Sequence, residues 1–234
     1  MTIRCIAFDL DDTLWDCRPV IERAEQRFYA WLMVHYPRIP ARYSQAELVD
    51  KRVSYMQNYP ELQYNLTDLR KKWLAALAQE EEYSSALVEP AFEVFWLARN
   101  EVAFFDETLE VLHRLANRFV MGVISNGNAC VHHIGIGHLF QFVHSAAKAG
   151  VTKPHSAIFQ QALQEVGIAP HEAVYVGDDP RNDIQGAAQA GWRTVWFNPS
   201  QQPWEIAAKQ VTDATVPDAE IHHWKQLETV LAAL

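Results

Sequence analysis

Basic residues are the first shortage. The 234-residue chain has 20 Lys and Arg against 29 Asp and Glu, a formal charge of -9 at pH 7. No Lys/Arg block stands out, which argues against a general binder of nucleic acid or of an anionic membrane surface. Cysteine is scarce as well. Cys5, Cys17 and Cys130 are scattered, so neither a disulfide framework nor a CxxC metal site can be built from them. No apolar run approaches the ~20 residues that span a bilayer. The N-terminus enters an apolar strand directly, without the basic-then-apolar pattern of a secretory signal. A cytoplasmic setting is the resulting expectation. Internal repeats and low-complexity segments are absent too.

What is present is a hydrophobic share of 49%, enough for a globular core. The residues RCIAFDL, Arg4 to Leu10, read as a short buried strand. Helical spacing then takes over. Val20, Ala24, Phe28, Trp31 and Leu32 predict a helix from about Pro19 to Tyr36, broken by Pro37 and Pro40. Further helices are predicted over Ser44–Asn58, Leu66–Glu82 and Ser84–Asn100, with Ser44 and Thr67 as N-caps. From Asp106 onward the texture changes. ETLEVLHRLA, SAIFQQALQEVG and DIQGAAQAG read as helices, and they alternate with the strands FVMGVIS, Gln141–His144, AVYVGD and RTVWFN. A last helix is expected over Trp224–Leu234. Alternation at these lengths predicts an α/β fold, a Rossmann-like parallel sheet covered on both faces. The expected layout is a core of residues 1–15 and 104–234, interrupted by an all-helical insert of residues 16–103.

Ligands of an open parallel sheet bind outside the carboxyl ends of its strands, and the polar residues gather there. Asp9 and Asp11 close the first strand, Ser125 and Asn126 close VMGVISN, and Asp178 closes VYVGD, with Asp183 and Lys153 on nearby loops. Spaced two apart on extended backbone, Asp9 and Asp11 can face one side. Carboxylates this dense repel one another unless a hard divalent cation joins them, Mg²⁺ above all. A lysine, a hydroxyl and free backbone N–H groups add anion-binding capacity. Together they suit phosphoryl transfer, a reaction catalysed by positioning and electrostatics.

The same residues resemble the motifs of the haloacid dehalogenase-like (HAD) phosphohydrolase superfamily. DLDDTL is similar to its first motif, DxDx(T/V), the Ser of ISN to the second, the Lys of VTKP to the third, and GDDPRND to the fourth, in the family's order. The resemblance covers the whole chain and implies a Rossmann-like core with an inserted helical cap. It implies Asp9 as nucleophile forming an aspartyl-phosphate. Asp11 becomes the general acid and base, oriented by Thr13. Mg²⁺ is implied on the Asp9 side chain, the Asp11 carbonyl and Asp178. Asp183 is placed behind them near Lys153, while Ser125, Asn126 and Lys153 hold the phosphate. The stretches around DLDDTLWDCRPVI, ISNGNA and YVGDDPRNDIQGA further resemble bacterial members acting on FMN and on 5-amino-6-(5-phospho-D-ribitylamino)uracil. A small phosphorylated metabolite is the expected partner. A sugar phosphatase or phosphomutase and a non-catalytic binding module are the alternatives.

Other features have plainer readings. Most aromatics of the insert fit a helical core stripe. The segment YMQNYPELQYN is the exception, expected as a loop facing the site. His132-His133 has no acid or cysteine partner nearby and reads as surface, as does His222-His223. Lys71-Lys72 with Glu80–Glu82 reads as a solvated face. Asp12 and Asp179 are expected to be solvated or to support the acids beside them.

Overall fold

Ile6, Ala7 and Phe8 have no exposed surface. Burial on both faces is what a central parallel strand requires. In the computed structural model, which describes residues 2–234, this run is the middle of a six-stranded sheet. The strands are β1 (Cys5–Phe8), β2 (Val120–Ser125), β3 (Phe142–Ser145), β4 (Ala173–Gly177), β5 (Arg193–Phe197) and β6 (Ala219–Ile221). Their order is β3-β2-β1-β4-β5-β6, and every neighbouring pair is parallel. The chain runs outward from β1 through β2 to β3, then crosses back to β4. The order therefore reverses beside β1, where a crevice opens at the carboxyl ends of the strands.

Two units are distinguished. One comprises the chain up to Asp16, Ala103–Gly127 and Val131–Leu234; the other comprises Cys17–Val102 with Asn128–Cys130. In the first unit, Phe159 and Trp192 pack edge-on against Tyr175 of β4, with ring centroids 5.2 and 6.0 Å away. In the second, α1 (Cys17–His35), α2 (Arg38–Arg42), α3 (Gln45–Gln57), α4 (Leu66–Glu80) and α5 (Val88–Arg99) enclose Phe28, Trp73 and Phe95. Asn128 Nδ2 bonds Thr67 Oγ1 at 3.3 Å and the Cys130 N–H donates to Asn100 Oδ1 at 2.7 Å, which ties that short loop to these helices. No helix among the described residues is long and apolar enough to cross a membrane.

Ser44 caps α3 as expected, in a capping box with Glu47. Thr67 does not cap α4. Asn65 does, its side chain accepting from Asp68 N at 3.1 Å, and Thr67 lies inside the first turn. Pro37 and Pro40 end α1 but do not prevent the short α2, because proline is tolerated in a first helical turn. β6 was not anticipated: three residues at a sheet edge are too few for a periodic signal. YMQNYPELQYN is a helix end and one tight turn, with Tyr55 and Tyr59 stacked at 4.9 Å. Lys71 pairs with the exposed Glu89 at 2.7 Å.

The helical unit contains a buried ion cluster. Arg70, 4% exposed, grips Glu25 with two hydrogen bonds of 3.0 Å, and Arg52 reaches the same carboxylate at 3.1 Å. Arg70 also lies over the Phe95 ring, 3.3 Å from its centroid. Removing the carboxylate strands the buried Arg70 guanidinium and takes a partner from the partly buried Arg52, which costs far more than the intact pair contributes. Glu25→Ala is expected to lower stability by about 3–5 kcal/mol in denaturant unfolding. A change within ~0.5 kcal/mol, the size of an ordinary surface effect, would contradict this reading.

Candidate active site

The site begins where β1 stops. Asp9 N–H continues the ladder by donating to Val176 O at 2.9 Å, which fixes the Asp9 carboxyl at the sheet's carboxyl edge. The chain then turns tightly. Thr13 and Leu14 N–H both donate to Leu10 O, and Asp12 adopts a left-handed φ of 62°, a conformation aspartate tolerates better than most residues. Asp11 faces the same crevice, and its Oδ1 accepts a hydrogen bond from Trp15 Nε1 at 2.9 Å. Thr13, expected to orient Asp11, instead donates its hydroxyl to Asp178 Oδ1 at 3.0 Å.

Lys153 joins the strand ends. Its Nζ lies 2.6 Å from Asp9 Oδ1, 2.6 Å from Asp183 Oδ1 and 2.9 Å from the Tyr175 hydroxyl. An ammonium has three donors, and these partners use them all. Tyr175 passes its own proton to Ile124 O on β2 at 2.6 Å. Asn126 holds the lysine's main chain from both sides: Oδ1 accepts from Lys153 N at 2.7 Å, and Nδ2 donates to Lys153 O at 3.1 Å. Its side chain is thus committed to the lysine loop. Ser125 Oγ accepts from Gly127 N at 3.0 Å.

Asp183 fits because Gly177 has no side chain. A Cβ there would fall 2.4 Å from the Asp183 carboxyl carbon. The second oxygen of Asp183 accepts from Asp179 N at 3.0 Å. Asp179 in turn caps the loop by accepting from Arg181 and Asn182 N–H. Trp196 steadies the loop from β5, donating to Asp178 O at 2.8 Å. The result is a cavity of about 190 Å³ lined by Asp9, Asp11, Ser125, Asn126, Lys153, Asp178 and Asp183, with Asp12, Gly127, Asp179 and Asn182 beside them. All the site residues named from sequence line it except Thr13, which sits behind Asp178. Tyr175, Trp15 and Trp196 went unnamed, because each reaches its polar partner by folding and carries no motif.

Carboxyl oxygens of Asp9, Asp178 and Asp183 lie within 4.8 Å of one another. Burial pushes the Asp9 carboxyl up to about 7, with Lys153 pulling it down and the charge of Asp183 adding to the rise. Burial, then Asp183, Asp9 and Asp12, hold Asp178 well above the usual carboxylate range. Burial acts against the Lys153 ammonium, but Asp183 and Asp9 outweigh it and keep the charge in place. One lysine does not balance this many acids, so the cluster has the charge and the hard oxygen donors that a divalent cation needs. Both Asp183 oxygens are already engaged, which leaves Asp9 and Asp178 as the carboxylates better placed for a cation.

A doubly wound parallel sheet with this acid–lysine cluster at its switch point defines a hydrolase core. Residues 3–191 match the haloacid dehalogenase-like hydrolase family, and the chain belongs to it. It is 30% identical over 213 residues to the 5-amino-6-(5-phospho-D-ribitylamino)uracil phosphatase YigB of Escherichia coli, covering 87% of this chain and 88% of that one. It is also 30% identical over 210 residues to a glyceraldehyde 3-phosphate phosphatase of Pyrococcus furiosus, covering 83% and 80%. Among solved structures it resembles a 2-haloacid dehalogenase from Pseudomonas syringae pv. Tomato DC3000, at 36% identity and a TM-score of 0.90 over 99% of both chains.

Raised carboxyl pKa values make stability fall as pH rises. Between the unfolded value near 3.9 and the folded value, the native state binds more protons than the unfolded one, so ΔG of unfolding declines with pH. Asp9, at about 7, loses that contribution across roughly pH 4–7. Asp178→Asn removes one of the repelling charges. In EDTA at pH 7.5 it is expected to raise Tm by about 2–4 °C, equivalent to ~1 kcal/mol, and to leave Tm less responsive to added Mg²⁺ than that of the unsubstituted protein. A lower Tm in EDTA, or an undiminished Mg²⁺ response, would contradict the repulsion.

Proposed function

We propose that this protein is a Mg²⁺-dependent phosphatase that hydrolyses a small phosphomonoester in the cytoplasm through an aspartyl-phosphate on Asp9. The observation that carries the reading is the convergence of Asp9, Asp11 and Lys153 on one small crevice at the β1 switch point. Asp9, Asp178 and the Asp11 main-chain carbonyl are assigned as metal ligands. A divalent cation held there would neutralise the carboxylates and supply Lewis-acid stabilisation of the phosphoryl oxygens.

The chain's own groups account for the rest. Lys153 holds Asp9 Oδ1, so Oδ2 is the oxygen assigned to attack. The bond from phosphorus to the ester oxygen breaks, and Asp11 gives its proton to the departing alkoxide. Once Asp9 is an acyl phosphate it is no longer a carboxylate, and the Lys153 donor it held turns to a phosphoryl oxygen. Asp11 then takes a proton from water. The water oxygen attacks phosphorus, inorganic phosphate leaves, and Asp9 is restored. Ser125 and main-chain N–H groups near Asn126 and Gly127 are assigned to the phosphoryl oxygens, while Asp183 keeps Lys153 in place. The helical insert is assigned the role of a substrate-selecting cap.

The leaving group is assigned to a second cavity of about 400 Å³, which shares Asp12 and Asp178 with the first and is also lined by Trp196, Phe197, Asn198 and Gln202. Asp16 lines it, and no Lys or Arg does. Such a wall disfavours a second phosphate and suits a neutral polyhydroxylated or heteroaromatic group. That chemistry agrees with 5-amino-6-(5-phospho-D-ribitylamino)uracil or FMN, the former being the substrate named for the Escherichia coli relative.

Dehalogenation is the second reading, favoured by the 36% identity to the 2-haloacid dehalogenase from Pseudomonas syringae. The site argues against it. A halide leaves as a stable anion and needs no proton, so Asp11 would have no task. It would also emerge among carboxylates. Phosphate release from FMN, the ribitylaminouracil phosphate, glyceraldehyde 3-phosphate, sugar phosphates and nucleotides tests the proposal. Expected are Mg²⁺-dependent release, at least about 10³-fold loss in Asp9→Asn, and no chloride from 2-chloropropionate. Chloride release without phosphate release would overturn it, and preference for a bisphosphate would overturn the leaving-group assignment.

A further inference from the structure

Trp15 has no exposed surface, yet its indole N–H ends on a residue of the catalytic crevice. Nε1 donates to Asp11 Oδ1 at 2.9 Å. The ring is fixed on several sides. Its face meets Phe104 edge-on, with centroids 5.7 Å apart and planes at 80°. Its main chain bridges to Asp11 and to Phe104, and Trp15 O accepts from Asp12 N at 2.8 Å. Phe105 N–H donates to Leu14 O at 3.0 Å, which closes the same small fold. Trp15 therefore presents its donor from a rigid mount rather than from a mobile side chain.

Burial alone does not explain this pairing. The buried indoles of Trp73, Trp192 and Trp224 have no hydrogen-bond partner in the structure. Those three indoles lack a protein acceptor, whereas Trp15 has a carboxylate of the crevice as its acceptor. An indole N–H is also a donor only. The Asp11 oxygen facing it must accept, and the carbonyl oxygen of a carboxyl group accepts more strongly than the hydroxyl oxygen, so the bond favours Oδ1 as the carbonyl. The transferable proton is thereby favoured on Oδ2.

We propose that Trp15 is a positioning residue for proton transfer. It pins Asp11 Oδ1 and so presents Oδ2, with its proton, to the oxygen of the departing ester. The proposal rests on the general-acid role assigned to Asp11 above. It makes a distinction that a packing role does not. An aliphatic alkoxide needs a proton as the bond breaks, whereas 4-nitrophenolate leaves well without one. Loss of the indole N–H must therefore damage one substrate class selectively.

The test is kcat/KM with Mg²⁺ for glycerol 2-phosphate and for 4-nitrophenyl phosphate, since this ratio reports the step that expels the leaving group. The proteins are the unsubstituted enzyme, Trp15→Phe, Phe104→Leu, Asp11→Asn and a protein carrying 3-benzothienylalanine at position 15. That last analogue keeps the ring and replaces N–H by sulfur, so it separates the hydrogen bond from packing if Trp15→Phe fails to fold. Both changes at position 15 are expected to cost about 30-fold on the alkyl ester and less than about 3-fold on the aryl ester. Phe104→Leu should reduce both by a common factor. Equal loss on the two esters, or none, with the benzothienyl protein overturns the proposal. An Asp11→Asn protein that cleaves the alkyl ester normally overturns the general-acid assignment, and Trp15's role with it.

Discussion

The ammonium of Lys153 is the interaction on which the rest of the site depends. It is the one cation among the residues lining the crevice, and its three donors reach the end of β1, β4 and the segment after β4 at once. Asp9 and Asp183 would otherwise face each other across a buried gap with nothing between them. A buried charge is tolerated when paired and fully hydrogen-bonded. Tyr175 completes that set with a neutral acceptor, so a third negative charge is not needed. Its hydroxyl also reaches the end of β2 at Ile124 O, which extends the network to the strand that delivers Ser125.

Sheet topology explains why these groups meet. β1 lies between β2 and β4, so three strands that are distant in sequence end at one crevice. The loop leaving β1 has two tasks there. It carries Asp11 into the crevice, and it leads through Trp15 into the helical unit. The chain's return, at Phe104, packs against that same tryptophan. Asp11, the proposed acid–base residue, thus sits on a segment braced by the packing of Trp15 against Phe104, a more rigid support than an open loop would provide.

Much of this was legible in the sequence, for reasons that can be named. The parallel α/β core followed from short apolar runs alternating with helices, and the crevice residues stood out because acids at the mouth of a buried strand are costly without a purpose. Less legible were the features whose meaning comes from contacts across long separations. Tyr175 sits in an apolar run and reads as core; only folding brings it to Lys153, 22 residues earlier. Thr13 is four residues from Asp9, but its hydroxyl goes to Asp178, 165 residues away. The Asn126 side chain reads as a phosphate donor beside Ser125, while in the structure it pairs with the lysine's main chain. Asn65 rather than Thr67 caps α4 because several polar residues compete within one turn there, and sequence alone ranks them poorly. β6 is too short for periodicity to register.

The proposed chemistry requires Asp9 to become covalently phosphorylated, with Lys153 holding its other oxygen during the attack. The most direct measurement is mass spectrometry of peptides from enzyme quenched in acid during steady-state turnover of a hydrolysed phosphomonoester. A phosphoryl adduct confined to the peptide containing Asp9, absent from Asp9→Asn and removed by neutral hydroxylamine as acyl phosphates are, is the predicted result. Phosphate release at an undiminished rate from Asp9→Asn, or an adduct on any other residue, would contradict it.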